Sequence, residues 1–228
     1  MSIADNLSRV QERIANAAIR SGRSPESVEL VGVTKTVDIQ RIELAVAAGL
    51  KILGENYVQE ARDKIAQLGD RVSWHFVGRL QTNKAKHAVK LFDLIETVDS
   101  MKLAVELNRR AHSLGRVIPI FIQLNLADEV TKGGVKTADA LALVRQISEL
   151  AHLQIRGLMT MPPFFNQPER ARPYFRQLRG LSQEIVAAGV AGVAMTEISM
   201  GMSGDFEVAV EEGATLVRVG TAIFGERP

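Results

Sequence analysis

Short apolar runs alternate with amphipathic stretches along almost the whole chain, and this alternation limits the fold more than any other feature. The runs fall at Val28 to Thr34, Lys51 to Leu53, Val72 to Val77, Asp93 to Thr97, Ile118 to Leu124, Gln154 to Met159, Met195 to Ser199 and Thr215 to Val219. Short and mostly apolar, they read as parallel strands buried on both faces. Helical patterns occupy Ile39 to Ala48, Val58 to Leu68, Gln81 to Val89, Met101 to Leu114, Ala138 to Leu150, Pro168 to Ala188 and Phe206 to Glu211, with a further start at Thr221. Eight strand-helix units without a shift of composition predict a closed (β/α)8 TIM-type barrel. An open doubly wound sheet is the alternative, because the second and seventh runs rest on few residues. An extra N-terminal helix precedes the units: Ile3, Leu7, Val10, Ile14, Ala17 and Ala18 recur at helical spacing before the Ser21-Gly22 stop. Residues 1 to 228 are expected to form a single domain.

A chain of 228 residues can bury a full core unaided, and its lack of cysteine excludes thiolate catalysis, disulfides and cysteine-ligated metal. The formal charge of +2 comes from interspersed charges, not from a basic stripe, so nucleic acid is not an expected partner. The N-terminus mixes charges into its helix and lacks a signal-peptide core, and no apolar run approaches the ~20 residues of a membrane span. A cytoplasmic monomer without membrane contact is expected. His75, His87, His112 and His152 are scattered without metal-ligand spacing; His75, at a strand end, is the one that could face the barrel mouth. Trp74, Phe76, Phe121, Phe164, Phe165 and Phe175 are too dispersed to form a base-stacking platform and read as packing.

In a barrel, chemistry gathers where the strands end. The first run stops at Thr34-Lys35-Thr36, which places Lys35 at that face. An amine in a half-dry mouth loses part of its preference for the charged state and becomes a nucleophile toward carbonyl carbon; a solvated lysine at a strand end is the alternative. After the seventh run, Ser199-Met200-Gly201-Met202-Ser203-Gly204-Asp205 offers hydroxyls, glycines and backbone amides at a helix start, and Arg218-Val219-Gly220-Thr221 repeats the pattern after the eighth. Such loops can cradle a phosphate, although Ser203 could equally cap a helix and Gly220 form a tight turn. Asp205 favours the capping alternative, since its carboxylate competes with an anion. Arg218, on the face opposite Val217 and Val219, needs either a protein carboxylate or a ligand as its acceptor. Of the methionines, Met159, Met161, Met200 and Met202 lie near the expected mouth, and the polar stretch 129 to 134 could cover it. A lysine for a carbonyl, a phosphate cradle and an arginine together suit a phosphorylated aldehyde such as pyridoxal phosphate.

VGVTKT at 31 to 36, GENYVQEA at 54 to 61, WHFVGRLQTNK at 74 to 84, GLMTM at 157 to 161, SMGMSGD at 199 to 205 and RVGTAIFG at 218 to 225 occur in that order. Through them the chain resembles the pyridoxal-phosphate homeostasis proteins, single-domain relatives of the barrel domain of bacterial alanine racemase. The resemblance implies pyridoxal 5'-phosphate held as an aldimine on Lys35, its phosphate at Ser199, Ser203, Gly220 and Thr221, Arg218 facing the pyridine nitrogen and Asn56 near the cofactor. It leaves the role of WHFVGRLQTNK open. The expected function is a non-enzymatic carrier that keeps the free aldehyde low and delivers it to apo forms of pyridoxal-phosphate enzymes. An amino-acid racemase on the same cofactor is the alternative, weakened by the expectation that no second domain supplies an opposing base; a cofactor-free sugar-phosphate enzyme is the third.

Overall fold

The computed structural model describes residues 2–127, 129 and 133–226. In chain order the elements are α1 (Ile3–Arg20), β1 (Glu29–Val33), α2 (Ile39–Ala47), β2 (Ile52–Glu55), α3 (Val58–Leu68), β3 (Ser73–Phe76), α4 (Ala85–Leu91), β4 (Leu94–Val98), α5 (Met101–His112), β5 (Ile118–Leu124), α6 (Thr137–Ser148), β6 (Leu153–Thr160), α7 (Arg172–Ala187), β7 (Glu197–Ser199), α8 (Phe206–Glu211), β8 (Leu216–Val219) and α9 (Thr221–Phe224).

Every strand pairs in parallel with its successor, and β8 returns to β1 with Val31 opposite Arg218 and Gly32 opposite Val219. The barrel is therefore closed and the open-sheet alternative falls. The weak seventh strand is shorter than the apolar run because Met195 takes a left-handed backbone angle, φ 43°, which an extended strand cannot include. The fourth helix begins with a tight 3₁₀ turn at Thr82–Lys84 and continues to Leu91, two residues beyond the expected end.

Alternation along the strands sorts side chains into two cores. Val31, Ile52, Leu94, Phe121, Met159 and Leu216 fill the barrel interior, while the opposite faces meet the helices through residues such as Leu53, Phe76, Ile95 and Val217. Fully burying one such side chain contributes about 1.5–3 kcal/mol. The extra helix α1 starts with a reciprocal cap between Ser2 and Asp5 and buries Leu7, Val10, Ile14, Ala17 and Ala18. Its side chains tie it to the last units: Arg13 pairs with Glu207 at 2.6 Å, and Asn6 donates to the Ile223 carbonyl at 3.0 Å. No helix among the described residues is long and apolar enough to cross a membrane.

Candidate functional site

A cavity of about 250 Å³ lies at the mouth formed by the strand C-termini. Lys35, Asn56, Ser203, Arg218, Gly220 and Thr221 line it together with Asp205, Met161, Met202 and Phe164. Residues separated by nearly two hundred positions thus share one space, because β1 is hydrogen-bonded to both β2 and β8.

Lys35 is held by its neighbours on both sides. The Thr34 hydroxyl donates to Glu55 Oε1 at 2.5 Å, and Lys64 Nζ donates to the Thr34 carbonyl at 2.6 Å, to Glu55 Oε1 at 2.7 Å and to Glu60 Oε1 at 2.6 Å. On the far side the Thr36 amide donates to Glu60 Oε1 at 2.6 Å, and Thr36 itself sits at φ 61°. A threonine rarely occupies that region, and the turn is held by the Glu60 contact together with the Val37 amide, which donates to the Thr34 carbonyl at 3.0 Å. Burial pushes the Glu55 carboxyl above its ordinary value, while the hydrogen bond and charge of Lys64 hold it down. Sequence reading missed this cluster, although Glu60 and Lys64, four apart on a helix, are a detectable pair.

Beneath the cavity the barrel interior turns polar. Arg218 donates through Nη2 to the Thr160 carbonyl at 2.7 Å and through Nη1 to the Ser199 hydroxyl, with Glu96 Oε2 at 3.8 Å. Ser199 in turn donates to Glu96 Oε2 at 2.5 Å, and His75 Nδ1 lies 2.9 Å from Glu96 Oε1. Burial works against ionising Glu96, but His75, Arg218 and Ser199 outweigh it and keep the carboxyl below its ordinary value. Arg218 thus has a protein carboxylate as its ion-pair partner, with Ser199 and the Thr160 carbonyl as its acceptors, while still lining the cavity. His75 is buried in the barrel interior, not at its mouth. Ser199 is fully buried and is not among the lining residues; its hydroxyl is committed to Glu96 and Arg218, so the structure does not bring it to the phosphate end.

The loops after β7 and β8 meet at Ser203, whose hydroxyl accepts from the Gly220 and Ala222 amides at 3.3 Å each. It caps α9, the turn of the next unit, and not its own helix. Asp205 Oδ1 accepts from the Met202 amide at 2.7 Å; burial raises its carboxyl above the ordinary value, with the Met202 amide and Arg218 opposing. Met161 and Met202 line the cavity, whereas Met159 and Met200 belong to the core. Phe164, expected to pack, is 83% exposed at the cavity rim, while Phe165 stacks on Tyr174 at 5.9 Å. Of the stretch 129 to 134, Val130, Thr131 and Lys132 lie outside the described residues. His112 and His152, forty positions apart, are brought to 2.8 Å between ring nitrogens, with no third metal ligand grouped with them among the described residues.

The closed barrel thus brings a lysine, an arginine, two hydroxyls and two glycine-bearing loops into one small cavity. Residues 3–228 match the family described as alanine racemase, N-terminal domain. A relative from Aquifex aeolicus named pyridoxal phosphate homeostasis protein is 45% identical over 228 residues, covering 100% of this chain and 99% of its own. The solved structure of PipY from Synechococcus elongatus PCC7942, described as having PLP bound, superposes with a TM-score of 0.85 at 40% identity over 98% of this chain and 100% of that one. An alanine racemase of Clostridium difficile shares the fold at a TM-score of 0.74 and 18% identity, with 98% of this chain matching 57% of that one. The chain belongs to the pyridoxal phosphate homeostasis proteins within the alanine racemase N-terminal domain family.

Proposed function

We propose that this protein binds pyridoxal phosphate at the barrel mouth, holds it through an imine to Lys35 and hands it on to apoenzymes without turnover of its own. The observation that carries this reading is the placement of Lys35 in the same cavity as Arg218 and the Ser203-Gly220-Thr221 end. The residues fit the group. Asn56 Oδ1 is buried with no hydrogen-bond partner among the described residues, leaving an acceptor for a ligand donor, and Met161 and Met202 offer soft faces to a flat ring. When bound, pyridoxal phosphate supplies an aldehyde that condenses reversibly with a primary amine and releases water.

The chain's own residues divide the remaining work. The Glu55–Lys64–Glu60 cluster fixes the backbone on both sides of Lys35, so its amine meets the ligand from a defined direction. The loop amides, with Ser203 and Thr221, receive the phosphate; burial raises the Asp205 carboxyl above its ordinary value, so its repulsion of the phosphate falls away as pH falls through the raised value. Arg218 stays protonated and can only donate to a ring nitrogen, which makes the ring a poor electron sink and favours retention over carbanion chemistry. In this reading residues 1 to 228 act as a single barrel domain, monomeric and cytoplasmic.

Visible absorption tests the proposal. Wild-type protein incubated with pyridoxal phosphate is expected to develop a Schiff-base band that borohydride abolishes and that Lys35→Ala never shows. No band in wild type would remove the reading, and sustained turnover of an amino acid by wild type but not by Lys35→Ala would convert it to the racemase alternative.

A further inference from the structure

A second cleft, of about 730 Å³, opens beside the cavity over the C-terminal ends of β2, β3 and β4. One wall is the stretch from Arg79 to Lys84, the latter half of a motif whose first half is explained by packing: Trp74 and Phe76 are core, and His75 belongs to the Glu96 network. Gly78 joins the halves. A Cβ on it would fall 2.3 Å from the Asn56 carbonyl oxygen, so only glycine lets this stretch lie against the Asn56 backbone. Asn56 lines both spaces, which makes them neighbours across one residue.

The cleft carries charge and hydrogen-bonding capacity that the protein does not use. Arg79 is exposed and Lys84 half-buried; among the described residues neither side chain makes an ion pair or hydrogen bond. Thr97, only 2% exposed, lines the cleft, and among the described residues its hydroxyl has no hydrogen-bond partner. Leaving a buried hydroxyl unsatisfied is destabilising, so its retention calls for an explanation. The acidic group in the lining is Asp99, whose Oδ2 accepts from the Gly134 amide at 3.2 Å, and the Ser100 hydroxyl is occupied with the Leu103 amide at 3.4 Å. Two unpaired cations against one engaged carboxylate leave the cleft electropositive, and a guanidinium fork with an ammonium matches an anion with several acceptor oxygens.

We propose that this cleft is a second anion site that takes a small phosphate monoester, with Arg79 and Lys84 on the phosphate and the Thr97 hydroxyl meeting another of its polar groups. The existence of the site follows from its own residues. The choice of a phosphate monoester rests on the function proposed above, in which the adjoining cavity holds such an ester and ligand passing between the two spaces crosses Asn56.

The test separates the two readings. Protein is loaded with pyridoxal phosphate, the Schiff-base band is recorded, and borohydride then fixes the first site irreversibly; the band reports the first reading alone. The reduced protein is titrated by calorimetry with pyridoxine 5'-phosphate, which cannot form an imine, and in parallel with pyridoxine and inorganic phosphate. If no band forms, the untreated protein is titrated in the same way. Reduced wild type is expected to bind one equivalent of pyridoxine 5'-phosphate, more weakly at high salt, with pyridoxine not binding. Arg79→Gln and Lys84→Gln, both at accessible positions, each weaken binding about tenfold. Thr97→Val weakens it too while leaving the melting temperature unchanged or higher, which a structural hydroxyl would not do. Absence of saturable binding, or binding that the Arg79→Gln/Lys84→Gln double variant leaves intact, overturns the site. Inorganic phosphate binding as tightly as the ester overturns the ester assignment.

Discussion

Replacing Lys64 by methionine removes the centre of the cluster that flanks Lys35. The Lys64 side chain is 8% exposed and that of Glu55 wholly buried, so the variant keeps the volume of the side chain but takes the cation from a buried carboxylate that retains only the Thr34 hydroxyl as a donor, and leaves the Thr34 carbonyl with the Val37 amide alone. Removing one partner of a buried pair costs about 3–5 kcal/mol. In a protein of 228 residues each kcal/mol moves the melting temperature by about 2–4 °C, so a fall on the order of 10 °C is expected in a thermal scan. The fall should depend on pH. Burial already raises Glu55, so the folded chain holds its proton more tightly than the unfolded chain; its contribution is full below the ordinary value of 4.5 and is lost as pH rises through the folded value. Without Lys64 the folded value rises further, and the loss of stability extends to higher pH than in wild type. Glu55→Gln/Lys64→Met removes the stranded charge and should recover much of the loss. The same scans, with pyridoxal phosphate absorption recorded alongside, should show the Schiff-base band weakened in Lys64→Met. A melting temperature within about 2 °C of wild type, or a double variant no more stable than the single, would refute the reasoning.

Three further expectations concern the polar groups around the mouth. Ser199→Ala takes a hydrogen bond from each of two buried charges, Glu96 and Arg218, and should cost about 1–3 kcal/mol by denaturant unfolding while leaving the affinity for pyridoxine 5'-phosphate within about twofold; Ser203→Ala should lower that affinity about tenfold. Asp205→Asn keeps an acceptor for the Met202 amide but removes a charge from the cavity, so it should bind the same ester more tightly than wild type at neutral pH. Because burial raises Asp205, wild type should approach the variant as pH falls through the raised carboxyl value, and calorimetry across that range would show a constant gap if the carboxylate is irrelevant.

The barrel was legible because buried parallel strands leave a pattern that survives without tertiary knowledge: Ile118 to Leu124 and Val58 to Leu68 are the observed bounds of β5 and α3. Met195 was read into a strand because a methionine among apolar residues carries no sign of a left-handed φ. The mouth residues were found because a lysine at a strand end and paired glycine-hydroxyl loops are local patterns. What escaped was pairwise. Nothing in the sequence around Ser199 says that its hydroxyl meets Glu96, 103 positions away, nor that Glu55 and Lys64 close around Thr34. The motif WHFVGRLQTNK resisted reading for the same reason: its glycine is explained by the Asn56 backbone and its cations by a cleft that exists only once three strands are side by side.

One strand-helix unit therefore carries most of the organisation at the mouth. Glu55 at the end of β2 reaches Thr34, Asn56 stands between the two spaces, and Glu60 and Lys64 on α3 hold the backbone beside Lys35. Ligand retention and fold stability are coupled there, since the contacts that place the amine are also those that neutralise a buried carboxylate. On the opposite side, Ser203, Gly220 and Thr221 present hydroxyls and amides from loops, where a substitution changes ligand contacts without stranding a charge. On the proposed function, in which the ligand is held and handed on, this division favours release. The loop end can loosen around a phosphate while the lysine end keeps its geometry, so variants that speed release at little cost in stability are expected on the β7 and β8 loops and not in the β2–α3 unit.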